Sequence, residues 1–69
     1  MARGVRRVYV IQDADSGEFL YPSPDGDVGF TKFLRDAGRQ EDPEEAIETA
    51  QINLGNAYVI SSFWEEMSH

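Results

Sequence analysis

The stretch DPEEAIETAQINLG, residues 42–55, decides how the rest of the chain is read. Asp42 suits an N-cap, Pro43 the first helical position, Glu45 the closing residue of a capping box, and Gly55 a left-handed stop, so both ends of a helix are punctuated. At 100° per residue, Ala46, Ile47, Ala50 and Leu54 share the stripe that an amphipathic helix lays on a core. Glu44, Glu45 and Glu48 fall on the other side. Ile52 points near Glu45 and Glu48, where either a loop or the Trp64 end covers it or it forms the apolar centre of an interface.

After this helix, Ala57–Trp64 (AYVISSFW) alternates, with Tyr58, Ile60 and Trp64 on one side and Val59 and Phe63 on the other, and reads as the last strand. Val5–Gln12 (VRRVYVIQ) alternates between two apolar sides, Val8 and Val10 against Val5, Tyr9 and Ile11, and so reads as a central strand. Asp13–Gly17 is a turn cluster and Glu18–Tyr21 returns as strand two of a hairpin. Pro22–Asp27 (PSPDGD) is dense in turn residues and reads as an exposed loop. Phe30, Phe33, Leu34 and Ala37 keep helical spacing, which predicts a short helical turn over Thr31–Ala37, capped by Thr31 and stopped by Gly38. The alternative there is an irregular edge strand near Val28–Thr31.

These elements predict an α+β two-layer sandwich, with the main helix and the short helical turn on one face of an antiparallel sheet. The sheet has three strands, or four if the edge strand joins it, and the order is strand two, strand one, last strand. Ile47, Ala50 and Leu54 are expected against the sheet, and several aromatics on its far face. The chain is expected to form one domain over 1–69, frayed at 1–4 and 66–69.

Composition narrows the function classes. With no cysteine there is neither a disulfide framework nor a thiolate zinc site. There is no apolar run long enough to span a bilayer and no secretory leader, so the expected location is the cytoplasm. The net charge is −7, unevenly placed. Residues 1–12 hold Arg3, Arg6 and Arg7 and no acid, whereas residues 13–69 hold all thirteen acids against three bases, a local −10. Such a body repels nucleic acid and anionic membrane and attracts basic partners. Arg6 and Arg7 are expected to pair with acids of the last strand or the helix.

Catalytic chemistry finds little support. The single histidine is His69, the final residue, and Ser61 and Ser62 have no base nearby in sequence. Asp13, Asp15 and Glu18 around Gly17 suggest a calcium loop, but its glycine is one place early and Pro24 stands where a bidentate glutamate is needed. A hairpin turn whose aspartates bond their own backbone is the better reading. No cofactor and no metal are expected, and an enzyme is the least favoured class.

The acids carry the remaining signal. Asp42, Glu44 and Glu45 lie in the first helical turn, where the macrodipole favours them. Glu41, Glu48, Asp13, Asp15, Asp25, Asp27, Glu65 and Glu66 have no such local reason. Helical acids three or four apart stand about 5–6 Å apart at Cβ, comparable with the charge spacing along a duplex backbone. The candidate partner-binding residues are therefore Asp13, Asp15, Asp25, Asp27, Glu41, Glu44, Glu45, Glu48 and Ile52.

The run from strand one through Gly17, Phe19-Leu20, Gly29-Phe30-Thr31, Leu34, Ala37, Glu44-Glu45-Ala46, Leu54-Gly55 and Val59 resembles a recurrent small β-β-α-β layout of bacterial and phage proteins, over about residues 8–60. It departs at Gln40, where that layout usually has an aromatic. In size, charge and lack of cysteine the chain also resembles small acidic phage anti-CRISPR proteins, several of which imitate DNA. That resemblance implies a stoichiometric inhibitor of a nucleic-acid-binding defence complex in the cytoplasm of a bacterial host cell, its target a basic protein such as a Cas subunit. The other reading is a structural or regulatory module that dimerises through its aromatic sheet face.

Overall fold

The computed structural model describes residues 4–22 and 27–66. Val5–Asp13 forms β1, Phe19–Pro22 β2, Val28–Thr31 β3, Pro43–Leu54 α1 and Tyr58–Glu66 β4, with a single 3-10 turn at Leu34–Asp36 among the described residues. The strands make one antiparallel sheet in the order β3-β2-β1-β4, and α1 lies over β1 and β4. The fold is α+β, with β1 central as its two-sided alternation requires. None of the described helices is long and apolar enough to cross a membrane.

β1 and β4 pair along their whole length, from Val5 opposite Glu66 to Asp13 opposite Tyr58. Glu66, expected to fray, is thus part of a strand; residues 1–3 and 67–69 lie outside the described residues. β2 meets β1 only at Gln12 and Phe19. Beyond that pair the two strands part, and residues 38–40 fill the gap. The Gly38 N–H donates to the Leu20 carbonyl at 2.9 Å, while Tyr9 and Gln40 exchange backbone bonds of 2.7 and 3.0 Å. Gln40 therefore works as a one-residue strand although it lacks the aromatic of the resembled layout.

The edge strand at Val28–Thr31 is present as β3, in register with β2 from Phe19–Thr31 to Pro22–Val28. The helical turn is accordingly shorter than Thr31–Ala37. Thr31 sits in the strand, and its hydroxyl accepts from the Phe33 N–H at 3.2 Å instead of capping the turn. Gly29 faces the Tyr21 ring so closely that a Cβ there would stand 2.6 Å from Cε1, so the missing side chain lets the ring lie over the strand.

α1 starts as its sequence demands, with one refinement: the Asp42 carboxylate accepts from the Glu44 N–H at 2.9 Å, not from Glu45 as a capping box would have it. It ends in a tight turn. Gly55 adopts φ +64°, ψ −119° and the Ala57 N–H donates to the Leu54 carbonyl at 3.1 Å, the geometry of a type II′ turn that reverses the chain into β4.

Two packed layers result. Between α1 and the sheet lie Ile11, Leu20, Ala46 and Ala50, flanked by Tyr9, Leu54, Tyr58 and Ile60. Ala46 and Ala50 are fully buried, so the helix rests on its two smallest apolar residues. Ile47, expected in this layer, is instead 41% exposed. It sits 100° round from Ala46, and the contact stripe is only as wide as the two alanines. On the other face strand alternation places Val8 and Val10, both fully buried, with Phe19, Tyr21 and Phe63 half-buried. The Arg39 guanidinium stands 5.6 Å from the centre of the Phe63 ring. That aromatic face is more covered than the sequence suggests.

Candidate partner-binding surface

On α1, Glu44, Glu48 and Ile52 follow one another at i, i+4 and i+8, so they form one ridge along the helix, with Glu45 beside it. All four are exposed, Ile52 to 76%. The ridge lies on the side turned away from Ala46 and Ala50, which fixes its direction outward. α1 contains no lysine, arginine or histidine. The helix dipole favours carboxylates at Glu44 and Glu45. Glu48 lies beyond the first turn, where the dipole gives little. The exposed Ile52 answers the question left by the sequence: neither a loop nor Trp64 covers it.

The other predicted residues divide into three groups. Glu41 does not belong to a free acidic surface, because the Arg6 guanidinium binds it at 3.0 Å and Glu65 at 3.2 Å. Arg39 holds the second Glu65 oxygen at 3.0 Å and donates to the Leu34 and Ala37 carbonyls, tying the 3-10 turn to β4. Hydrogen bonds from Arg39 and then Arg6 hold the Glu65 carboxyl below its ordinary pKa, and Arg6 is raised in turn by Glu65 and Glu41. The strand register explains the cluster: Arg6 pairs directly across from Glu65. Arg7 does not pair with an acid in this way. It donates to the Ser62 hydroxyl at 3.0 Å and lies 5.8 Å from the Trp64 ring centre. Arg3 lies outside the described residues.

Asp13 and Asp15 form the second group, in the β1–β2 turn. The Asp13 carboxylate accepts from the Asp15 N–H at 2.8 Å, and Gln12 Nε2 donates to the Gly17 carbonyl at 2.9 Å, so the turn binds its own backbone. This turn is joined to the start of β4 by the Ala14 N–H, which donates to the Ala57 carbonyl at 3.0 Å. It therefore lies at the C-terminal end of α1, roughly one helix length, about 18 Å, from Glu44 and Glu45. Asp27, exposed just before β3, lies across the sheet from both. Asp25 lies outside the described residues.

The structure thus gathers Glu44, Glu45, Glu48 and Ile52 on one surface and leaves Asp13, Asp15 and Asp27 elsewhere. Trp64, 65% exposed, and Ile47 are surface features that sequence reasoning placed in the core or left aside. A cavity of about 210 Å³ opens between α1 and the parted strands, lined by Ile11, Leu20, Val28, Gln40 and Thr49. It is smaller than the roughly 300–1,000 Å³ of usual small-molecule sites. Compared with protein-family models, curated proteins and solved structures, the chain matches none.

Proposed function

We propose that this chain is a stoichiometric binding protein whose α1 ridge occupies a basic, nucleic-acid-binding surface on a partner protein, as an inhibitor of a defence complex of the anti-CRISPR type does. The observation that carries this reading is the ridge itself: the exposed carboxylates of Glu44 and Glu48, with Glu45 beside them, on a helix without a single basic residue, and an exposed isoleucine at the ridge's end. Carboxylates at helical spacing offer a row of acceptors to lysines and arginines that otherwise grip phosphate. Ile52 adds what charge alone lacks. Burying such a side chain contributes roughly 1.5–3 kcal/mol and is insensitive to salt, so it gives the contact a fixed position. The rest of the acidic body steers a basic partner toward this face.

The test is a competition assay with a purified DNA-targeting complex. Binding should displace target DNA and weaken by at least about tenfold when salt is raised from low to twice physiological strength, because exposed charges are screened within about 8 Å at physiological salt. Glu44→Gln combined with Glu48→Lys should abolish inhibition, and Ile52→Ala should reduce it, with the fold unchanged, since all three side chains are exposed and no cation is placed in the first helical turn. Binding that leaves DNA in place, together with unaltered inhibition by these variants, would refute the reading.

A further inference from the structure

We propose that two copies of this chain join through the outer edge of β4, forming a two-fold dimer with one continuous sheet. The direction of the edge groups follows from the hydrogen bonds of β1. Tyr9 bonds Gln40 and the Asp13 N–H bonds the Glu18 carbonyl, so odd-numbered residues of β1 turn their backbone groups toward β2. Even-numbered ones turn to β4, where Arg6 faces Glu65, Val8 faces Phe63 and Val10 faces Ser61. The backbone groups of Tyr58, Ile60, Ser62 and Trp64 consequently point outward, along the free side of a sheet in which β4 is the last strand.

This edge lacks the usual protection. Edge strands are kept from pairing by shortness, proline, lysine or bulges. β4 has nine residues, contains no proline, glycine or lysine, and keeps an unbroken register with β1. The opposite edge, β3, has only four residues and includes Gly29. Charged residues enter β4 only at Glu65 and Glu66, and Glu65 is already matched by Arg6 and Arg39.

The strand is also complementary to itself. An antiparallel pair centred on Ser62 uses the whole strand and sets Ile60 opposite the second copy's Trp64, twice, with both backbone bonds exchanged at each pair. On the opposite face Ser61 meets Phe63 and Val59 meets Glu65, so no carboxylate faces another. A centre at Trp64 sets Ser62 against Glu66, and a centre at Ile60 leaves Trp64 without a strand partner.

The helix supplies the third observation. Thr49 lines the cavity together with Leu20 and Val28, which marks the flank of α1 that faces β2 and β3. Ile47 is about 160° round the helix from Thr49, on the flank toward the free edge of β4. Ile47, 41% exposed, and Trp64, 65% exposed, thus lie along the same side of the molecule, beside the half-buried Ile60. A second copy covers this side, while the Glu44–Glu48–Ile52 ridge stays open.

Each copy carries a net charge of −7, so salt should strengthen this contact, whereas it weakens binding to a basic partner. The two interactions are thereby told apart. The experiment is sedimentation equilibrium of the full chain over a concentration series up to about 0.5 mM at low and high salt, with fluorescence of Trp64, the only tryptophan, recorded on dilution. The expected result is a monomer–dimer equilibrium that tightens with salt, with emission shifting to the red as the dimer dissociates. Ser62→Pro removes an outward N–H without touching the β1 ladder, and Trp64→Lys adds a charge to the edge. Each should weaken the dimer by about 100-fold or more while the circular dichroism spectrum stays that of the parent. A chain that remains monomeric at the highest concentration in both salts overturns the proposal. So does a dimer unaffected by both substitutions, or one that dissociates as salt is added.

Discussion

Replacing Gly55 by alanine should destabilise the fold through the backbone alone. An alanine Cβ at this position would meet no atom of a non-adjacent residue within 4 Å, so packing conflict is absent. The cost comes from holding an L-residue at φ +64°, ψ −119°, a conformation that costs roughly 1–3 kcal/mol outside glycine. Stiffening the unfolded chain offsets about 0.4–1 kcal/mol of this, which leaves a net loss of roughly 1–2 kcal/mol. With an unfolding entropy of about 2.1 cal/mol/K per residue, the chain has roughly 0.14 kcal/mol/K at its midpoint, so Tm should fall by about 7–14 °C. Thermal and urea unfolding followed by circular dichroism, at one protein concentration for all variants, measures both quantities. Chemical synthesis provides the sharper comparison. D-alanine at position 55 prefers the mirror of the extended L-region, which contains this φ and ψ, and should raise Tm slightly instead of lowering it. Equal melting of the L- and D-alanine chains, or an L-alanine loss under about 0.3 kcal/mol, would refute the type II′ assignment of the α1–β4 turn.

Two further outcomes follow from the helix start and the arginine cluster. Asp42→Ala removes the acceptor for the Glu44 N–H and should cost about 1 kcal/mol in urea unfolding, whereas Asp42→Asn should keep most of the stability. Glu65 has its pKa held below the ordinary 4.5 by Arg39 and Arg6, so it binds protons less readily folded than unfolded. Its contribution is therefore present above the unfolded pKa and lost as pH falls through the folded value. Glu65→Gln should lower Tm at neutral pH, and the difference from the parent should shrink steadily below about pH 4.5 in a melting series.

The capped helix was legible because Asp42, Pro43 and Gly55 each act locally, within a turn of the backbone they control. β1 and β4 were legible from alternation, and so was the central place of β1. β3 was left open against a helical turn, because four residues with a glycine carry too little period to choose between them. A strand at Arg39–Gln40 was suggested only by the resembled layout and was weakened by the missing aromatic at Gln40, since a single residue bonded on its backbone to Tyr9 leaves no mark on side-chain pattern. The candidate site was read in half. Helical spacing identified Glu44, Glu48 and Ile52 as one surface, but the removal of Glu41 by Arg6 depends on contacts between residues far apart in the chain. Ile47 was misplaced because the wheel gives direction and not the width of the contact, which the two alanines set.

The longest ladder in the molecule joins its first described strand to its last, Val5 against Glu66. Contact order is therefore high for so small a domain, and folding is expected on the slower side of the range for mixed α/β chains. During synthesis β1 emerges first, and although β2 and Gln40 follow soon after, its long side toward β4 stays unpaired until β4 has left the ribosome some fifty residues later. Nascent chains are held in that open state for a few seconds at usual elongation rates of about 5–20 residues per second. A sheet that closes from its two extremes matures all at once, after the last strand is made.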